Sequence, residues 1–162
     1  MSIKLLLTGG TIDKTYNESN GELHFVETHI PEILELGRNR SDIDIQQLLL
    51  KDSLDMTASD RQSIADACTN AKQDQILITH GTDTIVDSGK SIAALGLENK
   101  TIVLIGAMIP YVFKHSDAVF NLGFALGALQ ALQPGVYITM NGKIFNWDNV
   151  IKNREIGEFQ TL

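Results

Sequence analysis

Short apolar runs recur along the chain and alternate with amphipathic stretches. Ile3 to Leu7, Ile43 to Leu50, Ile76 to Thr79, Thr101 to Ile105 and Val136 to Met140 have the length and content of strands, several of them fully buried. Between them the period lengthens. Ile64, Ala67, Cys68 and Ala71 fall on one face of a helix that Thr57 or Ser59 can cap. A second helix is predicted from about Thr84 to Leu95, closed by Gly96. A third, long and apolar, is predicted over Ala118 to Leu132, capped by Ser116-Asp117 and ended by Pro134-Gly135. Val26 to Leu36 mixes apolar and acidic residues, and Pro31 suits the first turn of a helix there. Residues 13–24 are polar and contain glycine, which predicts a surface loop or loose hairpin. Asn141-Gly142 is a hairpin turn into Lys143 to Phe145.

Strands alternating with helices imply right-handed parallel crossovers. The expected fold is α/β, a doubly wound and mostly parallel sheet in a Rossmann- or flavodoxin-like three-layer sandwich. No repeat or linker divides residues 1–162, so a single domain with no second domain is expected. At that length a chain buries about two thirds of its unfolded surface.

Composition narrows the function classes. A hydrophobic fraction of 43% with three prolines argues against disorder. A net charge of -7 without a basic run disfavours nucleic acid and anionic membranes as partners. No stretch approaches the ~20 apolar residues of a membrane span, and the start lacks a signal-type apolar region. Cys68 is the only cysteine, which suits a reducing cytoplasm and a packing role. His24, His29 and His115 share no ligand spacing, and His80 reads as a packed, hydrogen-bonded residue; no metal is expected. Neither a phosphate-binding loop nor a dinucleotide fingerprint occurs, so no cofactor is expected.

The candidate chemistry lies in two turns. Thr8-Gly9-Gly10-Thr11-Ile12 follows the first strand, and Thr79-His80-Gly81-Thr82-Asp83-Thr84 follows the third. In an open parallel sheet the carboxyl ends of the strands line the binding crevice, so the two turns can meet there. A threonine hydroxyl becomes a nucleophile only with a proton acceptor in reach. Two threonines, an aspartate and free backbone amides in one crevice suggest hydroxyl-nucleophile chemistry.

These turns resemble the bacterial type I/II L-asparaginase family. So do Asp52-Ser53-Leu54-Asp55-Met56, Val103 to Pro110, Ser116-Asp117 with Phe120-Asn121-Leu122, and Asp148-Asn149-Val150-Ile151-Lys152, all in the family's order. The resemblance implies an amidohydrolase in which Thr11 attacks a side-chain amide and forms an acyl-enzyme. It implies Thr82 and Lys152 as the pair that positions or activates water, with Asp83 on the substrate ammonium or in their network. It implies Ser53 on the substrate carboxylate, the Ala107 carbonyl accepting from the substrate amide, and the Gly10 and Thr82 amides as oxyanion donors. The family carries a lid tyrosine that polarises the nucleophile, a place the resemblance offers to Tyr16, whose alternative is a solvent-facing side chain of the loop.

The chain departs from the family at Leu54, where a polar residue is usual, and at Ile109, where an arginine is common. In the family a second domain, expected to be absent here, supplies an acidic residue to the substrate ammonium. The expectation is therefore amide hydrolysis on asparagine or a related small amide with incomplete amino-acid recognition. The alternative is a binding or regulatory module that keeps the pocket without turnover. A homo-oligomer is expected from the long apolar helix, whose stripe Phe120, Leu122, Phe124, Leu126 and Leu129 reads as core or subunit interface.

Overall fold

A computed structural model describes residues 2–162. Five parallel strands carry the fold: β1 (Ser2–Gly9), β4 (Asp42–Lys51), β5 (Gln75–Thr79), β6 (Thr101–Ile105) and β7 (Gly135–Met140). β8 (Lys143–Asn146) joins antiparallel at one edge, giving the order β4-β1-β5-β6-β7-β8. Asn141 and Gly142 both take positive φ in the connecting turn, which Asn-Gly tolerates best. Counting parallel strands alone, the order is second-first-third-fourth-fifth, the flavodoxin-like arrangement. Its switch point falls between β1 and β5, where the chain leaves the sheet in opposite directions and opens a crevice.

Helices α1 (Ile30–Leu36) and α4 (Ala118–Ala131) cover one face, and α2 (Ala58–Asn70) and α3 (Ile85–Ala93) the other. Strand alternation distributes the core between them. Leu5 and Leu7 pack with Leu77, Val103, Leu122 and Leu129, while Leu6 turns to Ile64, Ile78, Ile92 and Leu104. The central strands are apolar at consecutive positions because each face must fill its own layer. The sandwich, the parallel sheet and its Asn-Gly edge hairpin are as the apolar pattern predicts.

Three local features have physical causes. The helix expected from Val26 begins at Ile30, because β3 (Leu23–Phe25) pairs antiparallel with β2 (Lys14–Tyr16) and Asp13 holds Thr28 and His29 through its Oδ1. Thr57, rather than Ser59, caps α2 in a reciprocal box with Asp60. Asp117 sits at the α4 N-cap position without capping; its carboxylate accepts from the Met108 and Ile109 amides instead. A second small hairpin, β9 (Ile151–Asn153) with β10 (Glu158–Gln160), anchors to the core through Val150 and Phe159. Among the described residues no helix is long and apolar enough to cross a membrane.

Candidate active site

The ends of β1 and β5 are stitched together. Thr8 is buried and donates from Oγ1 to the Thr79 carbonyl at 2.6 Å. Two residues further on, Gly10 takes φ 84, and a Cβ there would lie 2.4 Å from the Gly81 nitrogen. A Cβ on Gly81 would in turn meet Ser53 Cβ and Oγ at 2.6 Å. Gly106 packs equally tightly on the His80 carbonyl and on Thr82. The turns therefore close on one another where β1, β4, β5 and β6 end, leaving no room for a side chain on Gly10, Gly81 or Gly106. This packing brings Thr11, Ser53, Thr82 and the Gly106-Ala107 turn to one crevice.

Lys152 enters from the β9–β10 hairpin. Its Nζ donates to Thr82 Oγ1 at 2.8 Å and to Asp83 Oδ1 at 2.8 Å. With its side chain only 13% exposed, the ammonium is held by these bonds rather than by solvent. A hydroxyl that accepts from an ammonium directs its own proton elsewhere, so Thr82 is set to donate into the crevice. Asp83 is Lys152's counterion, and Arg154 approaches the same Oδ1 at 3.7 Å.

His80 anchors the second turn from below. It is 0% exposed, with Nδ1 2.8 Å from the Gly81 carbonyl and Nε2 2.7 Å from Ser88 Oγ. A carbonyl only accepts, so Nδ1 carries the proton and Nε2 accepts from Ser88. Burial pushes the imidazole down to about 4, which keeps it neutral. Cys68 is likewise inert: burial pushes its thiol up to about 12. Both are packing residues, as their sequence contexts suggest.

Other expected residues are placed differently. The Gly10 amide donates to the Lys51 carbonyl at 2.9 Å, so it is unavailable to an oxyanion in this conformation. The amides of Thr11 and Thr82 make no such bond among the described residues and border the same crevice. Ser53 is 1% exposed, and its Oγ accepts from the Thr84 amide at 3.3 Å. Ala107 is buried at the end of β6. Tyr16, 48% exposed, lies over Gly21 of its own hairpin with its ring 6.3 Å from Phe113, and is not hydrogen-bonded to Thr11.

Four charged residues escaped the sequence reading. Lys14, three positions past Thr11, pairs with Asp52 and ties the β2–β3 hairpin to the end of β4. Burial alone would raise the Asp52 carboxyl; Lys14, the Leu54 amide and Lys152 outweigh it and hold the group below its ordinary value. Asp13 is fully buried, and burial raises its carboxyl despite bonds from the His29 amide and Thr28 hydroxyl. Asp52 adjoins Ser53 in sequence and could have been found from it. Lys14 and Arg154 sit in polar segments that carry no such signal. Among the described residues no three His, Cys, Asp or Glu side chains converge as a metal site. A cavity of about 570 Å³ lined by Lys4, Asp44 and Asp66 lies at the amino-terminal ends of β1 and β4, away from this crevice.

Residues 2–157 match the family described as asparaginase, N-terminal. The chain belongs to that asparaginase family. The L-asparaginase of Thermococcus kodakarensis is 32% identical over 172 aligned residues, covering 100% of this chain and 51% of that protein. A glutamyl-tRNA(Gln) amidotransferase component of Methanococcus vannielii is 29% identical, over 96% of this chain and 37% of its own length. The solved structure of the Thermococcus enzyme superposes with a TM-score of 0.84 at 29% identity, again over 100% of this chain and 51% of that one. The chain thus spans about half the length, or less, of the curated asparaginase relatives it matches.

Proposed function

We propose that the chain hydrolyses the side-chain amide of asparagine or a related small amide through an ester on Thr11. Thr11 Oγ1 attacks the amide carbon and its proton passes to the nitrogen. The C–N bond breaks and ammonia leaves. Water then attacks the ester carbon, the carbon–Oγ1 bond breaks, and Thr11 recovers a proton as the acid departs. Thr82, polarised by Lys152, orients the water by donating to it, and the Thr11 and Thr82 amides stabilise the oxyanion in place of Gly10. Asp83 holds Lys152 in position. The observation that carries this reading is Lys152 bonded at 2.8 Å to both Thr82 and Asp83, on a turn in contact with that of Thr11.

Thr11→Ala is expected to abolish ammonia release while leaving the circular-dichroism spectrum and most ligand affinity intact; Thr11→Ser should keep partial activity. Near-wild-type turnover by Thr11→Ala removes Thr11 as the nucleophile. A non-catalytic amino-acid-binding module is the second reading, favoured by the commitment of the Gly10 amide to Lys51. Ligand binding by the wild type without any ammonia release would select it. A single buried thiol fits a cytoplasmic setting, and the exposed Phe120 stacked on Phe124 along α4 supports a homo-oligomer.

A further inference from the structure

One ion pair joins the two short turns that carry Thr11 and Ser53. Thr11–Asp13 and Ser53–Asp55 are both single-turn 3-10 helices. Lys14 closes the first, its backbone N–H donating to the Thr11 carbonyl. Asp52 opens the second, its Oδ1 accepting from the Leu54 amide at 3.1 Å. Between them Lys14 Nζ donates to Asp52 Oδ2, and both side chains are part-buried. A 3-10 turn has poor hydrogen-bond geometry and holds its own shape weakly. The hairpin that continues from Lys14 is as slight, because only three residue pairs join β2 to β3. Upstream of Thr11, the Gly10 amide bonds the Lys51 carbonyl at 2.9 Å. Downstream, Lys14 bonds Asp52, the next residue along. Thr11 is thus bracketed by two ties to the end of β4. A turn tied at one point can pivot about it; a second tie removes that freedom. Lys14 also carries its ammonium 5.9 Å from the centroid of the Phe25 ring on the neighbouring strand, so the same side chain engages β3.

We propose that Lys14 and Asp52 are positioning residues, the pair fixing Thr11 and the β2–β3 hairpin against the Ser53 turn by supplying the second tie. The inference rests on the amidohydrolase reading for the role of Thr11, and its test separates the two. Lys14→Met keeps the aliphatic stem and removes the charge. With L-asparagine as the probe, kcat should fall about 10- to 100-fold, the scale of a displacement of about 1 Å, while KM changes less than about threefold. Lys14→Arg should return kcat to within about threefold of the wild type, because a guanidinium also donates to a carboxylate. Adding Asp52→Asn to Lys14→Met should slow turnover no further, since the tie is already lost. Amide hydrogen exchange over residues 14–25 should quicken at least ~10-fold in Lys14→Met and stay unchanged in β5 and β6. Circular dichroism checks that the fold survives. A pair that only stabilises the fold would lower the melting temperature and leave kcat of the folded protein unchanged. That result, or equal losses in Lys14→Arg and Lys14→Met, overturns the proposal. So does unchanged exchange in the hairpin. A wild type that releases no ammonia removes the hydrolytic reading alone; faster hairpin exchange in Lys14→Met then keeps the tie, and unchanged exchange rejects it.

Discussion

Acid should unfold this protein first through His80. The imidazole lies wholly inside the β5 turn, and burial lowers it from the ordinary 6.5 to about 4. A group whose folded pKa is depressed in this way is neutral in the native state while the unfolded chain takes up a proton. Its contribution to stability is therefore complete above pH 6.5 and is lost as pH falls from 6.5 to about 4. That difference is worth about 3 kcal/mol. For a chain of 162 residues it corresponds to a melting temperature lower by about 6–12 °C. Asp44, Asp52 and Asp60 are held below the usual carboxylate range, so their contributions fade only under about pH 4. Asp13, raised by burial, acts in the opposite sense, because the native state takes up its proton first and partly offsets the loss. Urea titrations at pH 7.5 and 4.5 on the wild type and His80→Gln isolate the histidine. The variant loses hydrogen bonds and is less stable at neutral pH, but its stability should vary less between the two conditions, by about 2–3 kcal/mol. An equal pH dependence in both proteins, or an His80 imidazole that titrates near 6.5 by NMR, would refute the reasoning.

Three further outcomes are expected. Lys152→Met should lower turnover at least ~100-fold, the scale of an acid–base contribution, with a smaller effect on ligand affinity. Because Lys152 and Asp83 are bonded at 2.8 Å, Lys152→Met and Asp83→Asn should combine less than additively in thermal stability, with a coupling of about 1–3 kcal/mol; additivity within about 0.5 kcal/mol would remove the pair as a functional unit. Light scattering across concentration should report a homo-oligomer that Phe120→Lys dissociates, since that ring is exposed and stacked along α4; a monomer at all concentrations rejects that assembly.

Leu5, Leu6 and Leu7 show how much the chain states on its face. Consecutive apolar residues in a short run require burial on both sides, and both sides of a sheet are buried only between helical layers. The two threonine-glycine turns were equally legible, because each ends such a strand and the crossover rule sends both ends to one edge of the sheet. Local chemistry gave a helix capped at Thr57 or Ser59 and the Asn141-Gly142 hairpin. These are short-range consequences of residue type, and the sequence alone determines them.

Which donors the crevice keeps is a different matter. Gly10 and Ser53 carry the right groups, yet the Gly10 amide is taken by Lys51, while the buried Ser53 hydroxyl accepts from the Thr84 amide and keeps only its own proton to donate. Lys14 pairs with Asp52, and Lys152 and Arg154 meet Asp83, so four separate stretches of chain supply these charges. Lys152 and Thr82 are 70 residues apart and meet only because Val150 and Phe159 bury the β9–β10 hairpin against the core. Periodicity along the chain fixes which face of an element is buried. The partner of a polar group is fixed by distances across the packed interior, and only the tertiary structure decides those.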